Sequence, residues 1–173
     1  MRHGEWDRLH NLVQEAVASV LGAIGLDATY VGAIPHDAAL WTETMSFISL
    51  DASNLKGSLA LSIPEVLLSR SHPARATAPE DTADWLAELA NLALGRIKSR
   101  LLVYDVSIAL STPIIISSTE LRLGDIETTL MVHEFRADDF AIYMMFECVC
   151  DEDAIFGPAR EGSVFEAGEL IIF

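Results

Sequence analysis

The chain has 173 residues, 51% hydrophobic and 21% charged, which fits one domain spanning 1–173 with room for a substantial core. Its 26 acidic residues outnumber 11 Lys and Arg, and the formal net charge of −15 repels nucleic-acid backbones and anionic membranes alike. The longest apolar stretch, Ala16–Leu26, is shorter than the ~20 residues a membrane-spanning helix needs. Glu5 and Asp7 ahead of it break the basic-then-apolar layout of a signal peptide, so a cytoplasmic protein with a protein partner is expected.

Trp6, Leu9, Leu12, Val13, Ala16, Val17, Val20 and Ile24 recur at spacings of three and four, predicting an amphipathic helix from Glu5 to Ile24 that stops at Gly25. Short strands are expected at Ala28–Ile34, Trp41–Leu50 and Gly57–Ile63, the last two forming a hairpin around Ser53–Gly57. Pro64–Arg70 suits one or two helical turns, and Ser71–Glu80, with Pro73, Pro79 and no large apolar residue, reads as a loop.

The second long helix is expected from Pro79 or Asp81 to Leu102. Thr77 and Glu80 have capping-box spacing, Asp81 and Asp84 suit the positive end of the dipole, and Arg96, Lys98 and Arg100 the other end. Its apolar face is Trp85, Leu86, Leu89, Leu92, Ile97 and Leu101. Strands follow at Val106–Leu110 and Ile114–Ser117, then, after a turn at Gly124-Asp125, at Ile126–Phe135. Arg136–Asp139 turns the chain into a long apolar strand, Phe140–Cys150. The acidic tail ends in an apolar stub, Leu170–Phe173. The fold class is therefore α+β, two long helices packed on a mainly antiparallel β-sheet.

Cys148 and Cys150 share one strand face, where buried free thiols are common. The sharper metal or redox reading finds no second Cys pair and no His pair at ligand spacing. His3, His10, His36, His72 and His133 are scattered and read as surface or satisfied structural residues. No Gly-rich phosphate loop, G-x-S-x-G or H-E-x-x-H motif is present.

The second helix carries the informative group. Glu88 and Asn91 stand three apart and emerge from neighbouring positions on one face, with Gly95 one turn further on. Asn is a poor helix former, and Gly costs about 1 kcal/mol relative to Ala in a helix interior. By spacing alone the plainer explanation leads: Gly95 admits close packing of another element and Asn91 faces solvent.

Glu88-Leu-Ala-Asn91-Leu-Ala-Leu-Gly95-Arg-Ile-Lys-Ser-Arg-Leu101, followed by Val106-Ser-Ile-Ala-Leu-Ser-Thr-Pro113, resembles the E-x-x-N-x-x-x-G helix and Pro-ended strand of the CheX/CheC/FliY chemotaxis phosphatases over residues 84–117. The resemblance implies a CheC/CheX-like fold and a phosphatase for the phospho-aspartate of a CheY-like receiver domain. It implies that Asn91 holds a water in line with the acyl-phosphate and that Glu88 engages the receiver's Lys. It also implies that the Mg²⁺ belongs to the receiver, this chain having no cofactor of its own. Gly95 would keep the helix surface low where the partner approaches. The first helix has Arg8-x-x-Asn11 at the corresponding spacing and lacks the carboxylate, so the likeness is to single-site, homodimeric CheX-like proteins. The alternatives are a CheX-like module or structural dimer that docks a signalling partner without hydrolysis, and an unrelated α+β dimer in which Glu88 and Asn91 are ordinary surface residues.

Overall fold

The structure, a computed structural model, describes residues 3–34, 44–75, 78–117 and 131–150. The first helix, α1 (His3–Ala23), buries Leu9, Leu12, Val13, Ala16, Val17, Val20 and Leu21, the stripe its periodicity predicts. Gly25 ends it in the left-handed region at φ 76°, which lets Leu26 N–H donate to the Leu21 carbonyl at 3.0 Å and tucks the Leu26 side chain into the core.

The strands are β1 (Thr29–Ile34), β2 (Thr44–Asp51), β3 (Leu55–Ser62), β4 (Ala109–Leu110), β5 (Ile114–Ser117), β6 (Met131–Ala137) and β7 (Phe140–Cys150). They form one sheet in the order β1-β6-β7-β3-β2-β4, with β5 also pairing β2, and every pairing described is antiparallel. The short α2 (Glu65–Ser71) and the long α3 (Pro79–Leu102) complete the helices. The fold is thus α+β on a mainly antiparallel sheet, with three helices of 21, 7 and 24 residues among the described residues.

Alternation along the strands sorts the sheet into two faces. Ile48, Leu50, Leu55, Leu59, Leu61, Phe135, Ile142, Met144 and Phe146 join the buried residues of α1 and α3 in the main core. Met45, Ala60, Val132, Tyr143 and Met145 form a smaller cluster on the opposite face. The two helices run antiparallel: Ser19 meets Arg96, Glu15 meets Arg100 and Arg8 meets Tyr104, just past the end of α3. Trp85 ties α2 to α3, its Nε1–H donating to Ser71 Oγ at 3.1 Å.

Several boundaries move from the expected ones. The predicted strand from Trp41 is observed from Thr44, and that from Ile126 from Met131; residues 41–43 and 126–130 lie outside the described residues, as do the Gly124-Asp125 turn and the tail. Strand β6 runs on to Ala137, so the β6–β7 turn is only Asp138-Asp139, with Asp138 at φ 53°. Only Ala109 and Leu110 of the predicted 106–110 strand are laddered. The N-cap of α3 is Ala78, with no side-chain cap bond, and Pro79 opens the helix; Thr77, half of the expected capping box, is outside the described residues. Cys148 is buried, as expected.

His133 is a satisfied structural residue as expected, while its neighbour His10 is only partly satisfied. Both are buried, and His133 Nε2 lies 3.4 Å from His10 Nδ1 while Tyr30 Oη lies 2.9 Å from His133 Nδ1. Trp6 stacks on His10 from the same helix, and Phe146 meets it edge-on. His10 Nε2 is buried with no hydrogen-bond partner. Neutral rings fit this site, because each lends one proton to the row of contacts and a charge would be desolvated.

Two predictions follow from this packing. Burial first, and then the neighbouring His10, lower His133 from 6.5 to about 4, and burial likewise lowers His10 against the opposing pull of Asp7. The unfolded chain therefore binds more protons between pH 6.5 and 4, so stability is full above 6.5 and falls as pH drops through that window. The loss attached to His133 is on the order of 3 kcal/mol, and urea melts of His133→Phe should show a shallower slope with pH there than wild type. At the β3–β7 pairing, a Cβ on Gly57 would stand 2.8 Å from Cys148 Cβ and press on the Glu147 carbonyl. Gly57→Ala should lower stability by about 1–3 kcal/mol in the same melts.

Candidate functional site

Helix α3 exists as a site because its two faces are unlike. Thr82, Leu86, Leu89, Ala90, Ala93, Leu94, Ile97 and Leu101 are buried over β2 and β3. Asp84, Glu88 and Asn91 are exposed on the far side. Acidic Glu80 and Asp81 lie in its first turn and Arg100 in its last, so the macrodipole is compensated at both ends. The helix is closed by Val106 N–H donating to the Leu101 carbonyl at 3.2 Å, with Asp105 at φ 62°.

The structure places Glu88 and Asn91 side by side in the middle of this open face. Neither makes a side-chain hydrogen bond or ion pair with any described residue, although Arg96 and Lys98 follow within three turns. Gly95, one turn on, is half-buried, and a Cβ added there would meet nothing within 4 Å. Close packing of another element, the plainer explanation for Gly95, is therefore not seen among the described residues. Its hydrogen would leave the helix surface about a methyl group lower than alanine would.

The chemistry open to this pair is limited and specific. An amide donates and accepts at once, and can hold a water without being a base. A carboxylate can take a charge-assisted bond from a cation. Neither group is buried beside a base or a metal ligand, and among the described residues no three His, Cys, Asp or Glu side chains are grouped to hold a metal ion. Any reaction at this face needs the second reactant, and its electrophile, to come from outside.

A second feature was not visible in the sequence. Where α1 meets the end of α3, an open cleft of about 380 Å³ is lined by Arg8, Asn11, Leu12, Glu15, Arg100, Val103 and Tyr104. The Arg8 guanidinium lies 4.5 Å over the Tyr104 ring and donates to its hydroxyl at 2.9 Å. In the sequence, Arg8-x-x-Asn11 marked only the lack of a second carboxylate-bearing pair on α1. The partners Arg100 and Tyr104 lie some ninety residues away in sequence and only the fold brings them in.

No family model matches the chain, and no curated protein matches it in sequence. Solved structures do. Chemotaxis protein CheX from Vibrio vulnificus superposes with a TM-score of 0.72 at 15% identity, over 82% of this chain and 99% of that one. A CheC-like superfamily protein from Shewanella gives 0.68 at 18%, over 82% and 97%. CheX from Borrelia burgdorferi, crystallised with CheY, BeF3 and Mg²⁺, gives 0.63 at 15%, over 80% and 96%. No helix among the described residues is long and apolar enough to cross a membrane. At these identities the likeness is one of architecture, and by that architecture the chain has the fold of the CheX- and CheC-like chemotaxis proteins.

Proposed function

We propose that this chain is a CheX-like phosphatase that removes the phosphoryl group from the phospho-aspartate of a CheY-like receiver domain, in chemotaxis or related two-component signalling. The observation that carries the reading is the exposed Glu88–Asn91 pair, without a side-chain partner among the described residues, on the open face of α3 in a CheX/CheC fold. A CheX structure of that fold holds CheY, BeF3 and Mg²⁺, which supports a receiver as the partner.

In this reading α3 is laid across the receiver's active site. Asn91 accepts from and donates to a water, aiming it in line with the aspartyl-phosphate bond. Glu88 accepts a charge-assisted bond from the receiver's Lys beside the phosphoryl group, fixing the approach of the helix. The Mg²⁺ is the receiver's and compensates the developing charge there. Phosphoryl transfer depends on positioning and charge compensation more than on covalent chemistry, so an exposed amide on a rigid helix suffices. The missing Cβ at Gly95 favours close approach beside the pair. The chain acts as a homodimer in the cytoplasm on this reading, and sedimentation should give twice its 18.9 kDa.

The test is loss of phosphate from phosphorylated receivers with Mg²⁺ present. Asn91→Ala should slow the accelerated reaction by at least ~100-fold, the scale of losing a positioned catalytic group, while leaving stability within about 0.5 kcal/mol because the side chain is exposed. Near-normal activity in Asn91→Ala would refute the role. Gly95→Ala should separate stability from function, raising stability by about 0.5–1 kcal/mol through helix propensity while lowering the rate. Complex formation without faster dephosphorylation would instead establish the non-catalytic docking module.

A further inference from the structure

One large aliphatic side chain of α3 is left in solvent. Leu86, Leu89, Leu94, Ile97 and Leu101 are buried and Leu92 is half-buried, whereas Leu102, the last residue of the helix, is 42% exposed. A single exposed leucine carries no meaning by itself. The place of this one does. Eleven residues separate it from Asn91, three turns plus about 20° of rotation and roughly 16–17 Å along the axis. Leu102 therefore stands on the same open side of α3 as Glu88 and Asn91, at the end of one line.

The surface between Asn91 and Leu102 is low. Gly95 has no side chain, and the Ser99 hydroxyl is turned back onto the helix, donating to the Gly95 carbonyl at 3.0 Å. In the other direction the line runs through Asp84 and Asp81, both exposed. Its two ends therefore differ in chemistry, with carboxylates on the N-terminal side of Asn91 and Lys98 and Leu102 on the C-terminal side. Lys98, seven residues after Asn91, is rotated about 20° from it in the opposite sense to Leu102. It makes no ion pair with any described residue.

Around its phosphoryl group a receiver holds Mg²⁺ through carboxylates. Laying Asp81 and Asp84 over such ligands sets like charges against one another, which disfavours that orientation. Laying Lys98 over them does not, and Leu102 beyond it offers apolar surface that gains from leaving water. From Glu88 to Leu102 the helix runs about 21 Å, inside the roughly 32 Å width of a standard interface patch of about 800 Å². We propose that the receiver docked on Glu88 and Asn91 extends over the C-terminal half of α3 and covers Leu102 with an apolar patch of its own. Leu102 then sets which way the receiver lies along the helix.

This inference rests on the phosphatase reading, and its test keeps the two apart. Steady-state dephosphorylation is measured with the receiver the wild-type protein dephosphorylates fastest, for wild type, Leu102→Gln, Leu102→Met and Asp84→Asn. Glutamine and methionine favour a helix about as well as leucine, so α3 is kept in both Leu102 variants. Leu102→Gln should raise KM about tenfold with kcat unchanged, the scale of losing a leucine's apolar contact that ground state and transition state share. Leu102→Met, which keeps an apolar side chain of similar volume, should stay within about twofold of wild type. Asp84→Asn should not raise KM. Unchanged KM in Leu102→Gln beside an active wild type would overturn the anchor and leave the phosphatase standing. So would a larger rise in Asp84→Asn than in Leu102→Gln, which would put the receiver over the acidic end. A change in the sedimentation of Leu102→Gln on its own would assign Leu102 to contact between copies of this chain, and overturns the anchor too. If wild type binds the BeF3-treated receiver without hydrolysing it, Leu102→Gln must weaken that complex about tenfold, and equal affinity overturns the anchor. A wild-type protein that binds no receiver overturns both.

Discussion

Helix α3 can bury only one stripe, and Leu86, Leu89, Ala90, Ala93, Leu94, Ile97 and Leu101 claim it against β2 and β3. Everything else about the outer surface depends on that choice. At 100° per residue, fixing those seven side chains inward leaves Asp84, Glu88, Asn91 and Gly95 on the opposite side with no freedom to rotate in. The alanines matter as much as the leucines, since their small side chains let the helix backbone lie close to the sheet. The floor is stiff because β3 and β7 approach each other at Gly57 with no room for a methyl group. A helix mounted in this way presents an amide at a defined place, which is what a positioned water requires.

Much of the fold could be read from residue patterns because its elements are locally consistent. Both long helices carry a clean three-and-four period, and Gly25 supplies the φ that ends α1. The hairpins β2–β3 and β6–β7 show as alternation around polar turns. The errors have physical reasons. Arg136 and Ala137 look like turn residues, yet they pair with Ala141 and Phe140, because Asp138 can take the left-handed conformation and shorten the turn to two residues. Residues 106–108 alternate like a strand, but their backbone carries no ladder. The partial satisfaction of His10 was not legible, because nothing local marks it as the neighbour of a strand residue 123 positions away.

The site divides in the same way. Glu88, Asn91 and Gly95 lie within two turns of one helix, so their grouping is a property of the sequence itself. Their exposure follows once the buried stripe is known. The Arg8–Arg100–Tyr104 cleft arises from two helices running antiparallel, and that pairing is a tertiary fact with no local trace. Its lining is equally hidden, since an overall balance of −15 gives no hint that Arg8 and Arg100 meet at one cleft.

The row of contacts from Tyr30 through His133 to His10 also bears on how the chain is made. Helix α1 precedes by more than a hundred residues the strands β6 and β7 that its His10 touches, so those strands are made well after it. At bacterial-scale elongation of about 5–20 residues per second, its apolar stripe waits on the order of ten seconds for His133 and Phe146 to exist. During that interval an amphipathic helix with Leu9, Val13, Val17 and Val20 on one side has α3 to lie beside but only part of the sheet beneath it. The apolar stripe of this helix is therefore the part of the nascent chain most open to aggregation and to chaperone capture until the sheet closes underneath.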